Sequence, residues 1–397
     1  MKGYRLKQFL IPALLMPAIM LSCSPSREYL LSRNMQGSAD KKYVRVLICS
    51  TDDRVTVATG SRLKVTNKKT RKIIYESGNT TLVIYPEKVK SPIIIESGSG
   101  NLKVNGTPYR GTLEVHNILG KLAVINCVRL NHYLYSVVPG EIPAGWEMEA
   151  LKAQAVAART YTYYHLIKNM KKRNIYDLDS TSHFQVYSGM RTEKQRTTEA
   201  VNATRGEVIT YSYEPIAAYF HSTCGGMTID DRYVWKGNDL DYIRSVRCPY
   251  CEASPQYKWE SNLTLHEIQK YLKKRYKKTG SIIKISLKKK NGRVTELKIR
   301  HTQGTITISG NDFRLLFPPK TIRSMFFSVK KDRYGIVLQG RGWGHGVGMC
   351  QWGAKGMAAK GAGYRSILKY YYKNVKITGI DSRYIAKRME RESGSHK

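Results

Sequence analysis

With 397 residues, 41% of them hydrophobic and 24% charged, the chain can bury a substantial core and is not of disordered composition. Its 67 basic and 30 acidic side chains give a net charge of +37, which calls for an acidic neighbour: nucleic acid, an anionic membrane or an acidic wall polymer. Tyrosine outnumbers phenylalanine by 28 to 7, a balance suited to grooves that are half apolar and half hydrogen-bonding, as for sugars or nucleobases.

In chain order, "MKGYRLKQ" is a basic leader and "FLIPALLMPAIML" an apolar run too short to span a bilayer comfortably. "LSC" follows and resembles a bacterial lipoprotein signal over residues 1–23, with Cys23 as the lipidated residue and Met20 where that pattern prefers leucine. A plain secretory signal and an uncleaved anchor are the alternatives. All three place the protein in the cell envelope or beyond, so no nucleic-acid partner is expected. Residues 24–42 read as a polar tether.

From Tyr43 to about residue 130 short alternating runs such as "VRVLI", "RVTVAT", "TLVIY" and "KLAVINCVRL" predict strands separated by glycine turns. "VVPGEIP", residues 137–143, reads as a stiff turn carrying one carboxylate, Glu141. The spacing predicts a helix over 147–170, with Met148, Leu151, Ala155, Thr162 and Leu166 on one buried stripe. A second helix ends at Gly206, and "EVITYSYEPIAAYFHSTCGG" reads as a hairpin around Glu214-Pro215. Residues 256–333 form an inserted basic module with the helix "LTLHEIQKYLKKRYKK" and a hairpin at Asn291-Gly292. Its lysine runs read as solvated faces or as contacts to an anionic polymer. The core resumes over 334–380, after a first part at 43–255, and 381–397 is a polar tail. The fold class is α+β: a strand-rich core with a few helices and a smaller basic α/β accessory module.

Two constellations stand out. "GRGWGHGVGMCQWGA" has glycine at alternate positions from 340 to 348. It reads either as a tightly packed strand or as a groove lined by Trp343, His345 and Gln351. His221-x-x-Cys224 and Cys248-x-x-Cys251 have the spacing of a tetrahedral zinc site with three sulfurs and one nitrogen. A disulfide or a redox dithiol in "CPYC" competes with that reading.

"VVPGEIP…EALKAQAVAARTY", "HFQVYSG", "AYFHSTCGGMT" and "GRGWGHGVGMCQWGA", in this order, resemble the stage II sporulation protein D (SpoIID) family from about Val104 to Tyr372. The resemblance implies lytic transglycosylase activity on peptidoglycan strands stripped of stem peptides. It places the catalytic acid on Glu141 and the functional arginine on Arg159, whose other reading is a helix residue bracing the loop. A Tyr-x-Lys pair is matched by Tyr242 and Arg244, with arginine in place of lysine. Gln185 and Tyr187, with Trp343, His345 and Gln351, are the substrate-binding candidates. Zn2+ beside the active site in some members adds weight to His221, Cys224, Cys248 and Cys251. Gly140 stands where such sequences often have serine.

One carboxylate suffices for this chemistry, because the sugar's own C6 hydroxyl replaces water as nucleophile. The acid must then stay protonated near neutrality, so Glu141 is expected in a dry site, without a tight ion pair to Arg159. The rival function is a wall-binding modifier that stimulates an N-acetylmuramoyl-L-alanine amidase without cutting glycan. The expected partners are thus peptidoglycan strands, a cell-wall amidase and, through the lipid, a membrane.

Overall fold

The computed structural model describes residues 43–169, 174–181, 184–235, 237, 239–332 and 335–380. The leader with Cys23, the tether and the tail lie outside the described residues.

The predicted strand texture folds into two antiparallel-rich sheets. One has seven strands in the spatial order Leu178–Asp179, Tyr43–Thr51, Lys121–Arg129, Thr112–Ile118, Ile93–Ser97, Leu63–Asn67 and Ile73–Ser77. The other has four, in the order Thr80–Ile84, Val55–Thr59, Asn101–Val104 and Thr107–Arg110. Period-two alternation drives this: in Val55–Thr59 the residues Val55, Val57 and Thr59 are buried while Thr56 and Ala58 are half-exposed. Both sheets feed one apolar core, in which Val44, Val46 and Leu122 meet Val57 and Leu102. Strand Lys121–Arg129 is buried at every position but its two ends, because helices cover its second face.

Helix α1, Leu130–Glu141, continues directly from that strand. The expected stiff turn at "VVPGEIP" is therefore a correction: the chain stays helical through Pro139 and turns only after Glu141. Pro139 stands inside the last turn, where it lacks the N–H that would bond the Tyr135 carbonyl, and the helix ends two residues later. Helix α2, Met148–Asn169, follows after a short loop, close to the predicted span. Its burial differs from the single stripe expected. Thirteen of its 22 residues are buried, around the whole circumference over 153–160. The reason is position: Leu151, Ala155 and Ala158 pack into the sheet core, while Ala153, Val156 and Ala157 pack into a second core. Alanine at these sites lets both cores approach the helix backbone closely.

That second core holds the strands packed on α2, Glu207–Tyr211 and Glu214–Pro215, and the cysteines Cys224, Cys248, Cys251 and Cys350. α3 is Gln195–Ala203. The hairpin after it turns at Ser212-Tyr213, both left-handed, so Glu214-Pro215 lie on the returning strand and not in the turn.

The accessory module has its own core, with Trp259, Leu272, Val294, Ile299, Phe313 and Leu338. Helix α4, Leu265–Arg275, opens with a capping box between Thr264 and Glu267. Strands Ile282–Lys290, Arg293–His301 and Gly304–Ser309 form one sheet, followed by helix α5, Gly310–Leu315. Strand Gly335–Arg341 pairs with Lys258–Leu263 and Phe327–Asp332, so the module's sheet runs past residue 333 to Arg341. The Asn291-Gly292 turn is as expected, with both residues left-handed. Helix α6, Gln351–Ala359, and helix α7, Tyr364–Tyr371, close the core. No helix among the described residues is long and apolar enough to cross a membrane.

Candidate functional site

Glu141 is the last residue of α1 and is half-buried. Its hydrogen-bond partners are the backbone N–H of Val186, 3.3 Å from Oε1, and the side chain of Gln351. Neither is a cation. Burial pushes the carboxyl above its ordinary pKa, and these two bonds only partly oppose that shift. The negative pole of a helix C-terminus acts in the same sense as burial. Gly140 makes the approach possible: a Cβ there would lie 3.3 Å from the Val186 carbonyl oxygen, too tight for a side chain without movement of that segment.

A half-buried aromatic face adjoins this carboxyl. Tyr161, Tyr164 and His165 project from one side of α2 at i, i+3 and i+4. Tyr161 lies 4.3 Å from His165 and 5.9 Å from Tyr219 between ring centroids, and His165 lies 5.2 Å from Phe184. Tyr219 continues to Trp235 at 4.6 Å, and Trp235 to His345 at 5.1 Å. Burial raises the Tyr161 phenol strongly, and the Glu141 charge adds to the shift, which ties the face to the acid.

Several expected site residues stand elsewhere. Arg159 is buried in the core, 1% exposed, and does not touch Glu141. Its guanidinium donates to the Val201 carbonyl at 2.9 Å, the Glu207 carbonyl at 3.2 Å and Thr204 Oγ1 at 3.3 Å. It satisfies carbonyls where α3 ends, a bracing role, and burial draws its pKa down to about 10. Tyr242 is also a core residue; its hydroxyl accepts from the Ala217 N–H at 3.1 Å. Arg244 pairs with Asp239 at 2.9 Å and Asp241 at 2.7 Å on a surface loop. Gln185 is locked inside: its Oε1 accepts from Thr162 Oγ1 at 3.0 Å and Tyr133 at 3.3 Å. Tyr187 is buried and donates to Asn126 Oδ1 at 2.7 Å.

Of the glycine-rich segment, Gln351 reaches Glu141, and its Nε2 also donates to Gln154 at 3.3 Å. His345 belongs to the aromatic face, but both ring nitrogens are engaged: Nε2 donates to the Phe220 carbonyl and Nδ1 accepts from Val347, each at 3.0 Å. Burial holds it neutral, well below the ordinary histidine range. Trp343 is half-exposed under the Arg323 guanidinium, 5.6 Å from the ring centroid. Between the end of strand Gly335–Arg341 and the short strand Met349–Cys350 the segment is a loop. Gly342, Gly344, Gly346 and Gly348 are all left-handed, and a Cβ at Gly348 would lie 2.1 Å from the Tyr219 carbonyl oxygen. The loop lies flat against 219–223 and so supports the aromatic face from behind.

The cysteines form a separate centre. The Sγ atoms of Cys224, Cys248, Cys251 and Cys350 all lie within 4.8 Å of one another, and all four residues are buried. Tetrahedral zinc with bonds of about 2.3 Å separates its sulfurs by about 3.8 Å, so this donor set fits such an ion. The N–H groups of Cys224 and Gly353 donate to Cys350 Sγ at 3.2 and 3.3 Å, as expected around metal-bound thiolates. The six described cysteines are unpaired by disulfides. His221 is a correction: it stands outside the cluster of donor atoms, in which Cys350 is the fourth member, although its Nδ1 donates to the Val347 carbonyl at 3.0 Å and leaves Nε2 without a hydrogen bond among the described residues; burial pulls its pKa down to about 3. "GMC" carried no spacing signal linking Cys350 to the other three.

A family model described as stage II sporulation protein (SpoIID) matches residues 119–211, which include Glu141 and α2. A Domain of unknown function (DUF8618) matches residues 250–348, the accessory module. An uncharacterized protein of Brachyspira hyodysenteriae is 35% identical over 352 residues, covering 85% of this chain and 94% of that protein. The stage II sporulation protein D of Bacillus subtilis is 33% identical over 279 residues, covering 66% of this chain and 78% of that protein. An amidase enhancer of Bacillus subtilis is 28% identical over 292 residues, of which this chain spans only 40% of the length. With its motifs, its fold and these relatives in agreement, the chain belongs to the stage II sporulation protein D family.

Proposed function

We propose that the protein is a lytic transglycosylase that cleaves MurNAc–GlcNAc bonds in denuded peptidoglycan. The observation that carries this is Glu141: one carboxyl, its pKa raised by burial, beside an aromatic face and without a cationic partner among the described residues. As neutral acid, Glu141 gives its proton to the glycosidic oxygen while the C1–O bond breaks. As carboxylate it then takes the proton of the C6 hydroxyl, whose oxygen closes on C1 to form the anhydro sugar. One group thus serves as acid and base, and no water enters. Sugar rings stack on the half-buried faces of Tyr161, Tyr219 and Trp235.

The four cysteines would hold Zn2+ as a closed structural centre. All four positions are filled by protein sulfur, so the ion supplies fold support and no open site. The protein acts in the cell envelope, exported and anchored through Cys23.

The test is purified protein on amidase-treated sacculi, with release of anhydro-ended glycan as the expected product. A second reading, an amidase modifier that binds wall without cutting it, has its support in the amidase-enhancer relative and the net charge of +37. If sacculi yield no anhydro ends, yet the protein speeds an added amidase, the second reading replaces the first.

A further inference from the structure

Arg293 opens the second strand of the accessory hairpin, immediately after the Asn291-Gly292 turn. It is 2% exposed, among the largest fully buried side chains, although it comes from the most basic part of the chain. Its Nη2 donates to the carbonyls of Cys224 and, at 3.0 Å, Met227, and the Phe326 ring centroid lies 5.2 Å from its Cζ, while Nε and Nη1 are buried without a hydrogen-bond partner among the described residues. Burial pulls its pKa down to about 10, and negative charge on the sulfurs of Cys224, Cys350 and Cys251 would act in the opposite sense. The main chain is shaped around it. Gly346 is left-handed, and a Cβ there would lie 2.6 Å from the Arg293 Cζ. The rest of the hairpin tip docks on the core as well: Asn291 Nδ2 donates to Ser245 Oγ at 3.3 Å, and Lys290 lies 5.8 Å from the Tyr233 ring centroid.

A guanidinium buried with two unpartnered donors is strongly unfavourable unless a compensating negative charge lies nearby. Four neutral thiols, or two disulfides, would offer none. A divalent ion held by four thiolates carries a net charge of about −2. We infer that Arg293 is the counter-cation of a dianionic metal–tetrathiolate centre and, through it, the latch that fastens the accessory module to the core. This rests on the reading of the four cysteines as a metal site. It gives the module a definite role: its hairpin completes the charge balance of a centre whose ligand Cys350 immediately precedes Gln351, the partner of Glu141.

The experiment uses the full chain loaded with Co2+, whose absorption reports tetrahedral sulfur ligation directly. Metal release to excess chelator is followed in the wild type, Arg293→Met and Arg293→Lys. Arg293→Met should release metal about 10- to 100-fold faster, the usual cost of losing an outer-sphere partner, with Arg293→Lys nearer the wild type. In the wild type, chelation should also deprotect the backbone amides of 289–295 in hydrogen exchange, a readout that needs no variant to fold. Equal release rates in wild type and Arg293→Met, or unchanged protection after chelation, overturn the inference while leaving the metal site standing. A wild-type chain that takes up no Co2+ or Zn2+ overturns the metal reading and this inference with it.

Discussion

Gln351, the first residue of α6, hydrogen-bonds the carboxyl of Glu141 at the end of α1, so two helices more than 200 residues apart in sequence meet at the proposed acid. That bond favours the anion and works against the desolvation that raises the pKa. Replacing Gln351 by Leu removes the donor, so Glu141 should hold its proton to higher pH. The alkaline limb of the pH–rate profile for anhydro-glycan release is expected to move upward. An unshifted limb would show that Glu141 is not the titrating acid.

Glu141→Gln should lower turnover by about 10²- to 10⁴-fold while leaving glycan binding intact. Stability gives an independent check. Because the folded pKa is raised, the native protein holds this proton more tightly than the unfolded chain does. The associated stability is fully present below the unfolded carboxyl pKa and is lost as pH rises through the folded one. Glutamine never ionises, so the variant should gain on the wild type between acidic and neutral pH in denaturant titrations. A gap that does not open with pH would contradict the buried-acid description.

The strand-rich core, α2 and the position of Glu141 were legible from period-two alternation, an alanine-rich helical run and a proline-flanked acid. The substrate face was not, for a reason of parity. In the segment after His183, Gln185 and Tyr187 are the inward residues, whereas Phe184 and Val186 face the site, so the more polar and apparently functional side chains are the buried ones. Arg159 carried two readings, the functional arginine that the resemblance implies and a helix residue bracing the loop. Small residues around it mark a helix packed on all sides, where its guanidinium reaches the Val201 and Glu207 carbonyls and Thr204 Oγ1, the bracing geometry. The aromatic face was spread over five separate segments, at Tyr161 to His165, Phe184, Tyr219, Trp235 and His345, of which only "TYTYYH" in α2 and His345 in the glycine-rich segment had a local signal.

Arg159→Met should therefore affect folding and not chemistry. It removes the guanidinium's bonds to the Val201 and Glu207 carbonyls and to Thr204 in the core, at a cost of about 2–4 kcal/mol in unfolding free energy. The folded fraction should retain its kcat/KM. A selective fall in kcat with stability unchanged would restore Arg159 to the reacting centre.

Tyr242→Phe separates the same two roles at the second expected catalytic position. Its hydroxyl accepts one buried N–H from Ala217, so the loss should be about 1 kcal/mol of stability. Arg244→Ala, whose partners Asp239 and Asp241 lie on the surface, should cost still less. Rates measured at matched folded concentration should be those of the wild type for both variants.

The ligand set of the proposed metal centre is the sharpest difference between the spacing of the sequence and the geometry of the fold. His221-x-x-Cys224 predicts a nitrogen ligand, yet the clustered donors are four sulfurs, the fourth from Cys350, and His221 lies outside them. His221→Gln should keep full metal occupancy, with loss of stability from the disturbed core alone. Cys350→Ser should lose most of its metal, because a neutral hydroxyl is a far weaker zinc ligand than a thiolate. The first turn of α6 should stay capped, because a serine hydroxyl at the N-cap can accept the Gly353 N–H in place of the Cys350 sulfur, so metal loss is read apart from helix loss. Metal content measured after dialysis decides between the two sets: loss in His221→Gln with retention in Cys350→Ser would return the histidine to the site. Retention in both would mean that three cysteines suffice. Loss in Cys350→Ser alone, accompanied by a changed pH–rate profile, would tie the centre to the proposed acid through the adjacent Gln351.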